Sequence, residues 1–421
     1  MHSQPRINQS LLHSTPERKK SAPSGRLKLA TAISFCLILI TVCATLLFTS
    51  PAVRALAAGQ TLSQAIAING TPGNQQATLT WTADPNATSY TIEQTDLVTG
   101  QVQQLPDVIT TTSFTASSLA TGHWYRFRVI PVNGTTQGTP SAPIDVRTTG
   151  FLGSYDSYYV LGDSYSAGEG SPPYSGAKGC YRSTHSYAYL LGAGIPTPTM
   201  IACSGAVTND IDKTVQNSGL PGTQLQQLKS GSLNNALITL TIGGNDVGFA
   251  SELENCIAGL SSCTSRQASI SQKITALEPR LVQVYQEIRQ AAPGADIFVL
   301  GYPLLLAASN IADCHNPIVH VGLSGSEMTM IRELAGQLDQ VIAQAAAQAG
   351  VVAVTSEVEQ AFAGHEACTA NESDEWINEI TGLNALAHGS FHPNLSGYHA
   401  DASALNSRRN SFYQSGMVRL P

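Results

Sequence analysis

The segment Ser157-Tyr158-Tyr159-Val160-Leu161-Gly162-Asp163-Ser164 is apolar and aromatic up to a glycine and then turns polar. The part before Gly162 predicts a buried β-strand, because a continuous apolar run is typical of a parallel strand covered on both faces. The glycines at 162, 168 and 170 predict a tight strand-to-helix turn with the Ser164 hydroxyl exposed. Backbone N–H groups at the helix start would stabilise an oxyanion. An ordinary glycine-rich turn has the same pattern, so this segment alone leaves both interpretations open.

Three more apolar runs predict further strands of the same sheet, at 236–242, 296–300 and 351–354. Two apolar stripes between them have helical spacing, one from Ile270 to Ile288 with a kink expected at Pro279, and one from Ile331 to Ile342. A capping box at Ser324 and Glu327 precedes the second stripe. Alternating strands and helices predict a three-layer α/β/α domain with a parallel sheet that begins at about residue 155.

Three motifs after the predicted turn carry polar or small residues suited to catalysis. Ile201-Ala202-Cys203-Ser204-Gly205-Ala206 contains a glycine whose N–H can approach a substrate oxygen closely. Thr241-Ile242-Gly243-Gly244-Asn245-Asp246 ends a strand with a side-chain amide that could act as an oxyanion donor, or with an asparagine that merely forms a turn. Gly389-Ser390-Phe391-His392-Pro393-Asn394 places a histidine, the residue type of a general base, before the last predicted helix.

Residues 61–148 contain no cysteine and have short alternating stretches separated by turn residues, a pattern that predicts a β-sandwich. Trp81, Tyr90, Leu119 and Tyr125 stand where this segment resembles a fibronectin type III domain, and the resemblance implies that they form its core. The module is interpreted as a passive spacer, since no aromatic stripe marks a sugar platform. A contact with the cell wall or a polysaccharide remains the alternative.

The N-terminus combines a basic tip with a long uncharged run. Residues 1–28 carry six basic side chains against one acidic one, although the whole chain has a net charge of −7. Residues 29–57 predict either a signal-peptide core or a transmembrane anchor. Both place the rest of the chain outside the cytoplasm, so the protein is expected to be secreted or anchored to the outer face of the membrane. The acidic remainder argues against nucleic acid as a partner, and we expect a monomer.

Six of the eight cysteines follow residue 150, which in an exported domain indicates disulfides without specifying their connectivity. No pair has the short spacing of a zinc site, and the histidines do not have metal-ligand spacing. We therefore expect neither a metal nor another cofactor.

The order Gly-Asp-Ser, Gly, Gly-x-Asn-Asp and His makes residues 155–415 similar to the SGNH (GDSL) hydrolase family. In detail they resemble its disulfide-bonded, secreted bacterial lipases and esterases. The resemblance implies a flavodoxin-like α/β/α fold with a parallel sheet, with Ser164 as nucleophile and His392 as general base. It implies an oxyanion hole formed by the Ser164 N–H, the Gly205 N–H and the Asn245 side chain. It also implies sequential disulfides, pairing Cys180 with Cys203, Cys256 with Cys263 and Cys314 with Cys368.

One position departs from the pattern of many family members, which have Asp three residues before the catalytic histidine. This chain has Gly389 there, so we expect the Gly389 backbone carbonyl to orient His392, as is thought of the disulfide-bonded branch. Carboxylates close by in sequence, namely Asp374, Glu375 and Asp401, are the rivals. Asp163 and Asp246 are interpreted as residues that hold their loops.

The resemblance implies hydrolysis of carboxylic esters through an acyl-enzyme on Ser164, with acyl lipids favoured as substrates. The stretch Gly301-Tyr302-Pro303-Leu304-Leu305-Leu306 fits two interpretations, the lining of an acyl site and the buried end of a strand. Two alternatives stay open: a polysaccharide or peptidoglycan O-acetylesterase, and a surface binding protein whose hydrolase fold has lost its activity.

Overall fold

The computed structural model describes residues 62, 64–150, 154–257, 263–308, 310–381 and 388–421. The predicted basic segment 1–28 and the apolar run 29–57 lie outside these residues. Within the described ranges, no helix has both the length and the apolar character needed to cross a membrane.

Residues 68–147 form two antiparallel sheets, which confirms the predicted sandwich. Strands β1, β2 and β5 form one sheet, and β8, β6, β3 and β4 lie in that order in the other, with β7 beside β6. Trp81 packs edge-to-face on Tyr90 at 5.4 Å, and the Tyr125 hydroxyl accepts a hydrogen bond from the Ala120 N–H at 2.9 Å. The strands are β1 Ile68–Gly73, β2 Gln76–Trp81, β3 Ser89–Asp96, β4 Val102–Ile109, β5 Ser113–Ser117, β6 Trp124–Asn133, β7 Thr136–Gln137 and β8 Ile144–Arg147.

The second domain is built on a parallel sheet with strand order β12-β9-β13-β14-β15, which confirms the predicted α/β/α fold. The strands of this part of the chain, within and outside that sheet, are β9 Ser157–Gly162, β10 Tyr174–Ser175, β11 Arg182–Ser183, β12 Thr199–Met200, β13 Ala236–Thr241, β14 Asp296–Leu300, β15 Val352–Val354 and β16 Met417–Arg419. Its helices are α1 Ser164–Ala167, α2 Thr208–Asp212, α3 Gln224–Lys229, α4 Phe249–Ile257, α5 Gln267–Ala291, α6 Pro317–Gly322, α7 Gly325–Ala349, α8 Ser356–Phe362 and α9 Leu395–Ser415.

The helices pack in pairs, α5 against α7 and α8 against α9. Strands β13 and β14 are buried along their whole length. This burial explains the continuous apolar runs in the sequence. The Ser324 side chain accepts a hydrogen bond from the Glu327 N–H, and the Glu327 carboxylate accepts one from the Ser324 N–H, so α7 begins at the predicted capping box. Pro279 lies within α5, which continues on both sides of it.

Strands β9 and β13 are neighbours in register, with Gly162 opposite Thr241, so the loops after them leave the sheet side by side. Gly162 has a φ of 111°, and a Cβ atom there would lie 2.0 Å from the Thr241 carbonyl oxygen. Only glycine fits this close approach. The pairing brings Ser164 and Asn245 to the same carboxyl edge of the sheet, where open parallel sheets form their sites.

The disulfides join Cys180 to Cys203, Cys256 to Cys263 and Cys314 to Cys368, which is the sequential pairing that the resemblance implies. The first attaches the segment that carries Gly205 to the segment after β10. Cross-links of this kind stabilise a fold mainly by restricting the unfolded chain.

The two domains share a sheet, which the sequence patterns did not predict. Strand β16, from the end of the chain, pairs antiparallel with β8 of the sandwich, with Met417 opposite Arg147. Arg147 is fully buried and forms a two-point ion pair with Asp296 of β14 at 2.8 and 2.9 Å. The sandwich is therefore joined to the second domain by a paired strand and a buried ion pair, in addition to the chain connection that follows β8.

Candidate active site

Ser164 opens the short helix α1 directly after β9. Asp163 caps this helix, because its carboxylate accepts a hydrogen bond from the Tyr165 N–H at 3.1 Å. The same carboxylate accepts hydrogen bonds from the hydroxyls of Thr241, at 2.6 Å, and Tyr302. Burial raises the pKa of Asp163 to about 6, although these hydrogen bonds oppose the rise. Asp163 thus holds the turn of Ser164.

His392 and Ser164 are 228 residues apart in sequence and are brought into hydrogen-bond contact, with Nε2 2.7 Å from Oγ. The other ring nitrogen, Nδ1, lies 2.8 Å from the Ser390 carbonyl oxygen. A carbonyl can only accept, so Nδ1 carries the proton and Nε2 is free to accept the Ser164 proton. This is the geometry that a general base requires.

The predicted role of the Gly389 carbonyl is wrong, because the Ser390 carbonyl occupies that place. The Gly389 carbonyl accepts hydrogen bonds from the His392 N–H and from the Asn378 side chain, each at 3.3 Å. It therefore closes the turn that presents the ring. Gly389 and Phe391 both have a positive φ, 91° and 57°, and this backbone path directs the intervening carbonyl towards Nδ1.

The rival carboxylates have other positions. Asp374 accepts a hydrogen bond from the Asn371 side chain, and Glu375 accepts one from the Thr369 N–H. Asp401 is buried within α9. Both ring nitrogens of His392 already have partners, so the ring needs none of these groups for its orientation.

Gly205 and Asn245 lie on two loops beside Ser164. The Cys203 N–H donates to the Gly162 carbonyl at 3.0 Å, which attaches the Gly205 loop to the end of β9. Gly205 has a φ of 78°, a conformation that favours glycine. The Asn245 amide donates one hydrogen bond to the Ala206 carbonyl at 3.0 Å, which orients the amide and leaves its second N–H for another acceptor. Asp246 holds this loop by accepting from the Thr208 N–H and hydroxyl.

Ser164, Gly205, Asn245 and His392 line one cavity of about 270 Å³. Its apolar side is formed by three elements. Two of its residues, Pro303 and Leu305, belong to the stretch 301–306, for which the sequence left an acyl site and a strand end both open. The apolar lining residues are Phe249 and Leu253 of α4, Pro303 and Leu305 after β14, and Ala335 and Leu338 of α7.

Sequence reasoning did not foresee the roles of two residues of the site. Tyr302 donates to Asp163 and accepts from the Gly244 N–H at 3.1 Å, so it connects the loops of Ser164 and Asn245. Glu169 lines the cavity and stands inside the glycine-rich motif, where it had no assigned role. The available signal was a second carboxylate, besides Asp163, placed between two glycines of this motif.

Burial lowers the pKa of His392 from its ordinary value, and the negative charge of Glu169 and the Ser390 carbonyl oppose this effect. The imidazole is therefore held neutral near pH 7. Across the described part of the chain, no group of three or more His, Cys, Asp or Glu side chains could hold a metal ion.

A parallel α/β/α domain with a serine and a histidine hydrogen-bonded at the carboxyl edge of its sheet defines a hydrolase-type architecture. The model of the GDSL-like Lipase/Acylhydrolase family matches residues 160–400, and that of the fibronectin type III domain matches residues 65–147. The chain belongs to the GDSL-like lipase/acylhydrolase family and is an ester hydrolase with an N-terminal fibronectin type III domain.

Part of this chain is similar to bacterial lipases. Lipase 1 of Streptomyces coelicolor is 35% identical over 247 residues, which are 58% of this chain and 82% of that protein. A lipase of Streptomyces rimosus is 36% identical over 246 residues, which are 57% of this chain and 81% of that protein. The crystal structure of an extracellular lipase from Streptomyces rimosus is 33% identical with a TM-score of 0.49, covering 60% of this chain and 99% of that chain.

Proposed function

We propose that the chain hydrolyses carboxylic esters of acyl lipids through an acyl-enzyme on Ser164, with His392 as the base. The observation that carries the proposal is the 2.7 Å contact between Ser164 Oγ and His392 Nε2, with Nδ1 held by the Ser390 carbonyl. This pairing of nucleophile, base and orienting acceptor is the arrangement that activates a serine hydroxyl.

The reaction follows from the positions of these groups. Ser164 Oγ attacks the ester carbonyl carbon while its proton moves to His392 Nε2. The oxyanion that forms accepts hydrogen bonds from the N–H groups of Ser164 and Gly205 and from the Asn245 amide. His392 then gives the proton to the departing alcohol, which leaves an acyl-enzyme. Water, deprotonated by His392, then attacks the acyl carbon. His392 returns this proton to Ser164 Oγ as the bond between Oγ and the acyl carbon breaks, which releases the carboxylic acid and regenerates Ser164.

The cavity wall favours an acyl chain over an acetyl group. Phe249, Leu253, Leu305 and Leu338 present apolar surface beside the nucleophile, and each methylene that is buried there contributes about 0.8 kcal/mol. An acetyl group would leave this surface in contact with water. The relatives that are named lipases support the same substrate class, esters of acyl lipids.

Secretion is part of the proposal. Three disulfides within the second domain suit an oxidising compartment outside the cytoplasm. Release after signal-peptide cleavage and retention by an uncleaved 29–57 segment are both compatible with the sequence. Sequencing the N-terminus of the protein recovered from culture medium and from membranes separates the two.

Covalent labelling tests the assignment of the nucleophile. A fluorophosphonate probe is expected to label the wild-type protein once, at Ser164, and Ser164→Ala is expected to remain unlabelled while unfolding at the same temperature. Label found on another residue in Ser164→Ala would refute the assignment. Absence of label and of aryl-ester turnover in the wild type would favour the inactive binding protein instead.

The pH dependence of kcat/KM is expected to follow the protonation of His392. Only the neutral ring can accept the Ser164 proton, and burial lowers its pKa below the ordinary value of 6.5. Activity should therefore be lost as the pH falls through a midpoint below 6.5, with little change from there to neutral pH. A midpoint above 6.5 in initial-rate measurements on a short-chain aryl ester would contradict this.

Ala335→Phe is expected to fill the apolar side of the cavity and to reduce long-chain hydrolysis selectively. Overpacking costs about 1–3 kcal/mol, so the ratio of kcat/KM for decanoyl over acetyl aryl esters should fall about tenfold. The control is Ala347→Phe, because Ala347 lies on the exposed side of the same helix. An unchanged ratio, or a wild type that prefers acetyl, would favour the O-acetylesterase alternative.

A further inference from the structure

Glu169 is a buried carboxylate at the point where three loops of the site meet. It follows the helix α1, and its own N–H donates to the Ser164 carbonyl at 3.1 Å. Its side chain is only 4% exposed. Its carbonyl accepts a hydrogen bond from the Tyr398 hydroxyl at 2.6 Å, which attaches this segment to α9.

The Glu169 carboxylate accepts hydrogen bonds from two loops that are distant in sequence. The Ser204 hydroxyl, next to Gly205, donates to Oε2. The Gly389 N–H, in the loop of His392, donates to Oε1 at 3.1 Å, and His388 Nδ1 lies 3.3 Å from the same oxygen. One charged group thus contacts both the loop of an oxyanion donor and the loop of the base.

We propose that Glu169 is a positioning residue for ester hydrolysis, and that its carboxylate sets the Gly205 loop and the His392 loop against Ser164. This inference rests on the function proposed above. Glu169 contacts neither Oγ of Ser164 nor the ring of His392, so it acts through Ser204 and Gly389.

The chemistry of the contacts explains why a carboxylate is needed there. Hydrogen bonds to a charged acceptor are shorter and stronger than neutral ones, and two oxygens allow both loops to be held at once. A neutral amide at this position offers one acceptor oxygen in place of two, so one of the two loops would lose its partner inside the protein. A small displacement of a catalytic loop is enough to reduce the rate about 10²-fold.

Glu169 also acts on the base through its charge. Its negative charge raises the pKa of His392, whereas burial and His388 lower it. Three other described neighbours of the ring are neutral: the Ser164 hydroxyl, the Ser390 carbonyl and the ring of Tyr165 at 4.9 Å. The same charge favours the imidazolium that forms when Ser164 attacks.

The test compares Glu169→Gln with two matched variants. Glu333→Gln makes the same change at an exposed position of α7, and Ser204→Ala removes only the contact with the Gly205 loop. For Glu169→Gln we expect kcat to fall about 10²-fold at nearly constant KM, and the acid midpoint of kcat/KM to move to lower pH. Ser204→Ala is expected to lower kcat without moving the midpoint, and Glu333→Gln to match the wild type.

Wild-type values of kcat and of the acid midpoint in Glu169→Gln would overturn the inference. The inference would also be overturned if the activity lost in Glu169→Gln equalled the fraction of unfolded protein and the acid midpoint of kcat/KM stayed at the wild-type pH. If Glu169→Gln does not fold, Ser204→Ala decides, because a wild-type kcat in that variant refutes the positioning role. The wild type must first turn over ester and be labelled at Ser164. If it does neither, the proposed function fails, and this failure is distinct from a failure of the positioning role of Glu169.

Discussion

Alanine in place of His392 is expected to lower kcat for an aryl ester by at least about 10³-fold. In the proposed reaction the ring accepts the Ser164 proton, and its Nε2 lies 2.7 Å from Oγ. Without it, the hydroxyl has no base and remains a weak nucleophile. KM should change little, because the apolar cavity wall that holds the acyl chain does not include His392.

The double variant Ser164→Ala, His392→Ala should be no slower than either single variant. Residues that act as one unit are strongly non-additive when they are removed together. The matched control is His399→Ala, because His399 is an exposed histidine of α9 and should retain wild-type turnover. Turnover above a tenth of the wild-type value in His392→Ala, measured by initial rates with a check for contaminating esterase, would contradict the assigned base.

Asp296→Ala is expected to destabilise the protein by about 3–5 kcal/mol. Asp296 accepts two hydrogen bonds from Arg147, one from the Trp124 indole N–H at 3.0 Å and one from the Tyr155 hydroxyl at 2.8 Å. Arg147 is fully buried, so removing its partner leaves a charge inside the protein without compensation. The residues lie on both domains, so the loss weakens the junction between them.

Urea unfolding followed by tryptophan fluorescence and by circular dichroism measures this loss. The wild type should unfold in one transition by both probes, whereas Asp296→Ala should separate the sandwich from the second domain into two. Glu93→Ala is the control, since Glu93 is paired with Arg128 at 3.8 Å on the surface of the sandwich and such pairs contribute little. Equal midpoints for the two variants would show that the buried ion pair does not join the domains.

This junction changes the interpretation of the fibronectin type III domain. A passive spacer is attached by a linker, but here β16 pairs with β8 and the Arg419 guanidinium lies 3.6 Å over the Trp124 ring. The sandwich therefore supports the second domain through packed contacts. A contact with the cell wall or a polysaccharide stays a proposal for its exposed surface.

Local patterns were sufficient to predict the sheet and the position of the site at its edge. Continuous apolar runs at β9, β13 and β14 predicted buried parallel strands, since only strands covered on both faces lack polar positions. The glycine at 162 predicted a tight turn, and a Cβ there would indeed meet the Thr241 backbone. These features depend on near neighbours in the chain or on a single steric requirement, and the order of motifs supplied the family.

The acceptor for His392, the role of Glu169 and the junction at Asp296 depended on the tertiary structure. Which carbonyl faces Nδ1 is set by the backbone path through Gly389 and Phe391, and a sequence pattern does not encode that path. Glu169 meets partners 35 and 220 residues away, and Asp296 meets one 149 residues away. The sequence could therefore predict the strands and indicate candidates for the nucleophile and the base, because each has a local signature. Hydrogen bonds between distant loops have none, since they are defined only when folding brings their donors and acceptors to within about 3 Å.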